Sequence, residues 1–390
     1  MVDFTYYTPT KVFFGKETHK KVGEIIKGYG YKKIMMQYGK SSIKKTGLYD
    51  EVMESLTAND IEVVEMGGVD PNPKISFVRE AIRIAREEKV EMILAVGGGS
   101  AIDSSKYTAS GVCYDGDVWD FATKKASPKA ALPVGCILTL AAAGSEMSAS
   151  AVISNEELCD KRGYNSDFNR CQFAICNPEL TYTVSPYQTA SGIVDIMAHT
   201  MERYFTVYDV ETELTDRIAE GLLKSVINAG KVLMGKPDDY EARATMMWAS
   251  SLSHNDLTGS GRPFMLAVHQ LEHALSGEFQ DITHGAGLAV LFPAWMRYVY
   301  KVNPARFAQF ARRVWDVTEA DDEKAALLGI EAMEAYFRFL HMPLTLREFS
   351  IPADCTEKLA DLCSFGKTRT IPAQIPIDFD VAKAIFDSCY

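Results

Sequence analysis

Apolar and polar positions follow two rhythms along this chain, and the change between them divides it. In the first half, short apolar bursts alternate with helical stretches. Ile34-Met35-Met36 is a burst that ends at Gly39, and helical sequence follows from about Leu48 to Ala58. Ile61 to Met66 alternates as a strand does, whereas Ile75 to Lys89 spaces Val78, Ile82 and Ala85 along one helix face. Met92 to Val96 reads as a short buried strand that runs straight into three glycines and another helix. Strand, helix, strand, helix implies a parallel sheet.

From Ser185 onward the pattern is helical almost throughout. Ser185-Pro186-Tyr187-Gln188 is a helix start, with Ser as N-cap, Pro at the first position and Gln three residues after the cap. Later helices are expected over Glu213 to Met234, Tyr240 to Leu252, Met265 to Ser276 and Lys324 to Leu340. The boundary falls near Asn177 to Ser185. With 390 residues the chain exceeds one ordinary core. We therefore expect an α/β domain over 1–182 and an all-helical domain over 183–390.

Composition narrows the partners. Hydrophobic residues make up 47%, which excludes a disordered chain, and the net charge of -11 disfavours nucleic acid. Met1 to Gly15 lacks the basic start and apolar stretch of a signal peptide, and the longest apolar run, Ala130 to Gly144, is too short for a bilayer. A cytoplasmic protein with no membrane partner is expected. The eight cysteines include no Cys-x-x-Cys pair, so Cys113, Cys136 and the others read as buried small hydrophobes.

Two stretches carry chemistry. Glu91 to Ser100 is strand, glycine turn, then helix, with Gly97, Gly98, Gly99 and Ser100 at the turn. Backbone amides and a helix N-terminus there attract an anion, and glycine lets a diphosphate approach closely. Ser100 is placed to cap the helix, with Asp103 and Lys106 further on. The pattern is not G-x-G-x-x-G. A tight turn without a ligand would have the same sequence. After the Ile34 strand no acid stands ready for a ribose 2′-hydroxyl. Lys40, Ser41 and Ser42 could instead hold a 2′-phosphate, which favours NADP(H) over NAD(H), although a solvated loop competes with that reading. Small residues from Thr139 to Glu146 would let a flat ring approach.

The second stretch is a set of donors. Asp195 and His199 stand four apart on one helix face, and His269 and His273 repeat that spacing. His284 follows in a loop-like Asp-Ile-Thr-His-Gly stretch. One carboxylate with three imidazoles suits a divalent transition metal. Spacing does not say whether His269 or His273 is the odd one out. His19, His254 and His341 read as core or capping residues.

Taken together, Gly97-Gly-Gly-Ser-x-x-Asp-x-x-Lys106, Gly144-Ser-Glu146, Gly192-x-x-Asp195-x-x-x-His199 and His269-x-x-x-His273 with His284-Gly285 resemble the iron-containing (group III) alcohol dehydrogenases, in their butanol dehydrogenase and aldehyde reductase branch. The resemblance covers nearly the whole chain. It implies a Rossmann-like parallel α/β nucleotide-binding domain followed by an all-α metal-binding domain, the dehydroquinate synthase-like fold. It also implies Asp195, His199, His269 and His284 as metal ligands, with His273 beside them and catalytic together with Asp103. The matching cofactor positions are Gly39, Ser41, Ser42, Gly97, Gly98, Gly99, Ser100, Asp103, Thr139, Leu140, Lys161 and Tyr182. Gly39, with no acid beside it, resembles the NADP(H)-using members.

The activity expected is hydride transfer between NADP(H) and a small primary alcohol or aldehyde, with one divalent metal, Fe(II) ahead of Zn(II), as Lewis acid. NAD(H) use is the alternative. A dehydroquinate synthase or glycerol phosphate dehydrogenase would need a basic cluster for phosphate, and only Arg203 and Arg262 lie near the ligands in sequence. The apolar strand Lys11 to Phe14 could pair across a homodimer.

Overall fold

The computed structural model describes residues 1–158 and 160–390. The chain forms two compact units. One is Tyr7–Val184 with Asp238–Ser251, and the other is Met1–Tyr6, Ser185–Pro237 and Leu252–Tyr390.

The first unit is built on six parallel strands, β1 (Lys11–Phe14), β2 (Lys33–Tyr38), β3 (Glu62–Gly67), β4 (Met92–Gly97), β5 (Val134–Leu138) and β8 (Phe173–Cys176). Their order is β1-β8-β5-β4-β2-β3, and β6 (Ser150–Asn155) with β7 (Asp160–Asn165) forms a separate antiparallel pair. Strands β4 and β5 are buried along their whole length because both faces of the sheet are covered. Alternation sorts the side chains. Ile34, Met36, Leu94 and Val96 join one core with Val22, Val52 and Leu56, whereas Met35, Ile93 and Ala95 join the opposite core with Ala81, Ile102 and Ala109.

The helix Tyr240–Ser253 was expected with the helical half, yet residues 238–251 group with the sheet. Met247 enters the second core, Ser250 accepts the Gly144 amide at 3.1 Å, and Ser251 donates to Glu146. Conversely, Met1–Tyr6 belongs to the helical unit, where the Val2 amide donates to the Gly261 carbonyl at 3.0 Å.

The helical unit is organised on Pro186–Tyr204, buried from Thr189 to Tyr204. A helix buried on every side belongs in a core, and its polar side chains Asp195, His199, Glu202 and Arg203 are buried with it. Ser185 caps it, accepting the Gln188 amide at 3.2 Å, with Pro186 in the first turn. It packs against the helices Glu213–Gly235 and His284–Val299. Asp216 gathers the charges of this core, accepting from Arg262, from Arg306 at 2.6 Å and from Gln309 at 3.0 Å.

Two expectations need correction. Cys113 is exposed and Cys355 half-buried, so the cysteines are not uniformly core residues. His284 lies not in a loop but at the start of the helix His284–Val299. Among the described residues, no helix is long and apolar enough to cross a membrane.

Candidate functional site

In the sheet unit, β2 connects outward to β3, and the chain then returns to β4 on the other side of β2. That reversal is a topological switch point, where open α/β sheets leave a crevice beyond the strand ends. Gly39, Ser41 and Ser42 follow β2, and Gly97, Gly98, Gly99 and Ser100 follow or end β4, so the two suspected nucleotide loops flank that point. The helix Gly99–Val112 starts with Gly98 as N-cap and no side-chain cap, so Ser100 sits inside its first turn rather than capping it. Thr139 and Leu140 leave β5 next door, and the Thr139 amide donates to the Gly97 carbonyl at 3.0 Å. A Cβ on Gly97 would stand 2.8 Å from that of Ala101, and one on Gly98 3.3 Å from that of Leu140. The glycines therefore serve this loop packing as well as any ligand.

The absence of an acid after β2 holds only along the chain. β2 and β3 run in register, Tyr38 opposite Gly67, so the residues after β3 stand beside Gly39. Asp70 arrives there and pairs with Lys40 at 2.6 Å and Lys74 at 3.2 Å. Lys40 first, then Lys74, hold its carboxyl below the ordinary range.

Asp103 is not a free acid. Its two oxygens accept from Ser145 Oγ and from the Val152 amide at 3.0 Å. Burial raises its carboxyl above the ordinary value, against the pull of Lys106. The fully buried Lys106 donates to the carbonyls of Ser145 at 2.7 Å, Ser148 at 3.1 Å and Ser150 at 2.8 Å. Asp103 and Lys106 each bond to Ser145 and so anchor the Gly144–Glu146 loop. Lys161 lies on β7, and Tyr182 follows the short helix Pro178–Thr181 after β8.

The metal candidates all belong to the helical unit. Donor atoms of Asp195, His199 and His269 lie within 4.8 Å of one another, and so do those of Glu272, His273 and His284. Asp195 Oδ1 links the groups, 3.7 Å from His269 Nε2 and 3.8 Å from His284 Nε2. His269 Nε2 is buried without a hydrogen-bond partner, and the buried Asp195 Oδ1 makes no geometrically good hydrogen bond although His199 Nδ1 lies 2.9 Å away. Buried polar atoms seldom stay unpaired, so opposed orphan donors fit a site for a cation. Burial works against the Asp195 charge, yet the neighbouring imidazoles, His199 foremost, hold its carboxyl well below the ordinary range. Burial lowers His199 to about 4, which leaves that imidazole neutral and able to ligate. For His269 burial acts downward too, but the Asp195 and Glu202 carboxylates prevail and raise it to about 9.

His273 groups with His284, their ring centres 5.9 Å apart. His254 is no remote core residue, because its ring packs against His199 with centres 4.1 Å apart. Arg203 and Arg262 are buried and donate to the His199 carbonyl and to Asp216, so they form no phosphate cluster. Sequence reading passed over Glu202 and Glu272. Glu202 accepts from His269 Nδ1 at 3.0 Å, and Glu272 accepts from His284 Nδ1. Spacing held the signal, since Glu202 stands three residues after His199 and Glu272 three after His269, each on the donor face.

A topological switch point flanked by glycine turns in one unit and a buried carboxylate-imidazole cluster in the other point to the class, and comparison with known proteins agrees. Residues 9–178 match the family model for iron-containing alcohol dehydrogenase, and residues 189–383 match the Fe-containing alcohol dehydrogenase family, C-terminal model. The chain belongs to the iron-containing alcohol dehydrogenase family, the one its motifs resemble, and is an NAD(P)-dependent oxidoreductase. It is 43% identical to NADH-dependent butanol dehydrogenase A of Clostridium acetobutylicum over 100% of both chains. It is 36% identical to the NADPH-dependent aldehyde reductase YqhD of Escherichia coli, again over 100% of both. The crystal structure of NADH-dependent butanol dehydrogenase A from Thermotoga maritima superposes with a TM-score of 0.96 at 38% identity, covering 100% of this chain and 99% of that one. These likenesses bear out the parallel α/β plus helical fold expected from sequence.

Proposed function

We propose that this protein reduces small aldehydes to primary alcohols, and runs the reverse reaction, by hydride transfer with NADP(H) at a site holding one divalent metal, Fe(II) ahead of Zn(II). The observation that carries this reading is the convergence of Asp195 Oδ1 with the Nε2 atoms of His269 and His284, beside His199. Those four residues would hold the ion, and a carboxylate with three imidazoles suits Fe(II) or Zn(II). The metal supplies Lewis acidity toward the substrate oxygen, and the reduced nicotinamide supplies the hydride.

The remaining work falls to the chain. The turns after β2, β4 and β5, with Lys161 and Tyr182, hold and orient the coenzyme. Asp103 and Lys106 keep the Gly144–Glu146 loop in one shape. His273, next to His284 in the second donor group, relays the alcohol proton or orders the nicotinamide. Butanol-like chains are the proposed substrates, in keeping with the names of the relatives.

For the coenzyme, Lys40, Ser41 and Ser42 would receive the 2′-phosphate of NADP(H). One observation favours NAD(H) as a second reading. Asp70 already occupies Lys40 at 2.6 Å, and it puts a carboxylate where a ribose 2′-hydroxyl would need one. Oxidation of NADPH and of NADH by a panel of linear aldehydes tests both readings. Faster turnover with NADPH is expected. Turnover with NADH alone selects the second reading, and no oxidation of either coenzyme overturns the activity.

A further inference from the structure

We propose that Glu202 and Glu272 are positioning residues of the metal site, each fixing one imidazole so that its Nε2 lone pair is turned toward Asp195. The inference rests on the metal reading given above.

Both carboxylates are buried to within 1% of complete, and neither is close enough in sequence to its histidine for the contact to be a local accident. Glu202 lies on Pro186–Tyr204, seven residues after Asp195 and three after His199, so it continues their face. Its Oε2 accepts the Ala267 amide at 3.0 Å, and its Oε1 accepts the His269 amide at 2.9 Å and His269 Nδ1 at 3.0 Å. One side chain thus caps the start of Ala267–Glu278 and sets the ring of a residue in its first turn. Glu272 sets the ring of His284 across the next helix pair, accepting from its Nδ1. Room for it comes from Gly287, where a Cβ would stand 3.0 Å from Glu272 Cγ. His199 shows a third version, with Nδ1 between two Asp195 oxygens, 3.0 Å from the carbonyl and 2.9 Å from Oδ1.

Ion binding would displace the second proton that the carboxylates favour on His269, because an imidazole that ligates a cation is neutral and carries one proton. When Nδ1 donates that proton to an oxygen, Nε2 is left as the lone pair. All three rings are tethered through Nδ1, and the Nε2 atoms of His269 and His284 stand 3.7 and 3.8 Å from Asp195 Oδ1. The outer carboxylates also make the imidazoles stronger donors, and loss of such a partner typically weakens metal binding roughly 10–100-fold.

The test is Co(II) and Zn(II) affinity, measured by competition with a chromophoric chelator, together with the visible absorption of the Co(II) form. Wild type is compared with Glu272→Gln, Glu272→Ala and Glu202→Gln. We expect weaker binding by about 10–100-fold and a shifted Co(II) spectrum, with Glu272→Gln closer to wild type than Glu272→Ala. Unchanged affinity and spectrum in folded variants overturn this inference while leaving the metal reading intact. A wild-type protein that takes up neither ion overturns both. Should a variant fail to fold, ¹⁵N spectra of Zn(II)-loaded wild type decide the matter. Protons on Nδ1 of His269 and His284 support the assignment, and protons on Nε2 refute it.

Discussion

Lys40 is the residue on which the proposed preference for NADP(H) rests. Its ammonium is largely exposed and shares Asp70 with Lys74. A 2′-phosphate would take over a charge-assisted contact worth about 1.5 kcal/mol, or roughly tenfold in binding. Lys40→Ala is therefore expected to raise KM for NADPH about tenfold and to leave KM for NADH nearly unchanged. Equal effects on both in steady-state kinetics would remove the 2′-phosphate role. At this scale the candidate donors were legible in sequence because Asp and His at four-residue spacing are rare and chemically pointed. Asp70, Glu202 and Glu272 were not. Acidic residues are common; spacing puts Glu202 and Glu272 on the donor faces, but their histidine partners, like the Lys40 partner of Asp70, lie on other segments, which no local spacing displays. His254 was misjudged for the same reason, since its neighbour His199 lies 55 positions away.

Between elements, the placement of His284 depends on a close crossing. A Cβ built on Gly285 would lie 2.0 Å from the Ser191 carbonyl oxygen, so the helices Pro186–Tyr204 and His284–Val299 meet backbone to backbone. Asp195 is one turn beyond Ser191, and His284 adjoins Gly285. Gly285→Ala must push the helices apart, and overpacking of this kind costs about 1–3 kcal/mol. Lower thermal stability together with weaker metal retention is expected. Loss of stability with metal content and affinity unchanged would show that the crossing does not set the site. Most elements were readable from periodicity. The helix expected from Leu48 to Ala58 spans those residues, and the Met92 strand extends one residue further, to Gly97. The start of His284–Val299 was not, because Thr283 makes no side-chain cap and His-Gly-Ala-Gly has the composition of a loop. Packing on Ser191 selects helix there against local preference.

For the whole molecule, the break between Val184 and Ser185 lies where the rhythm of the sequence changes, but nothing in that rhythm signals the exchange of residues 1–6 and 238–251. Tyr240–Ser253 has an ordinary helical pattern. Met247, Trp248, Ser250 and Ser251 tie it to the sheet unit, Ser250 and Ser251 through partners more than 100 residues away. Assembly belongs to this scale as well. Strand β1 is a sheet edge, and on it Phe14 is 40% exposed, edge-on to a similarly exposed Trp248. An apolar edge invites pairing with a second chain. We propose a homodimer joined there. Sedimentation equilibrium should give twice the chain mass, falling to the single mass in Phe14→Glu, and a wild-type monomer would rule the assembly out.

The central claim is that one carboxylate and three imidazoles hold a single ion on which turnover depends. Iron and zinc content of anaerobically purified protein, read beside aldehyde-dependent NADPH oxidation, tests it most directly. We predict one divalent ion per chain in wild type, and joint loss of ion and activity in His284→Ala. Full activity in protein stripped of metal would contradict the account.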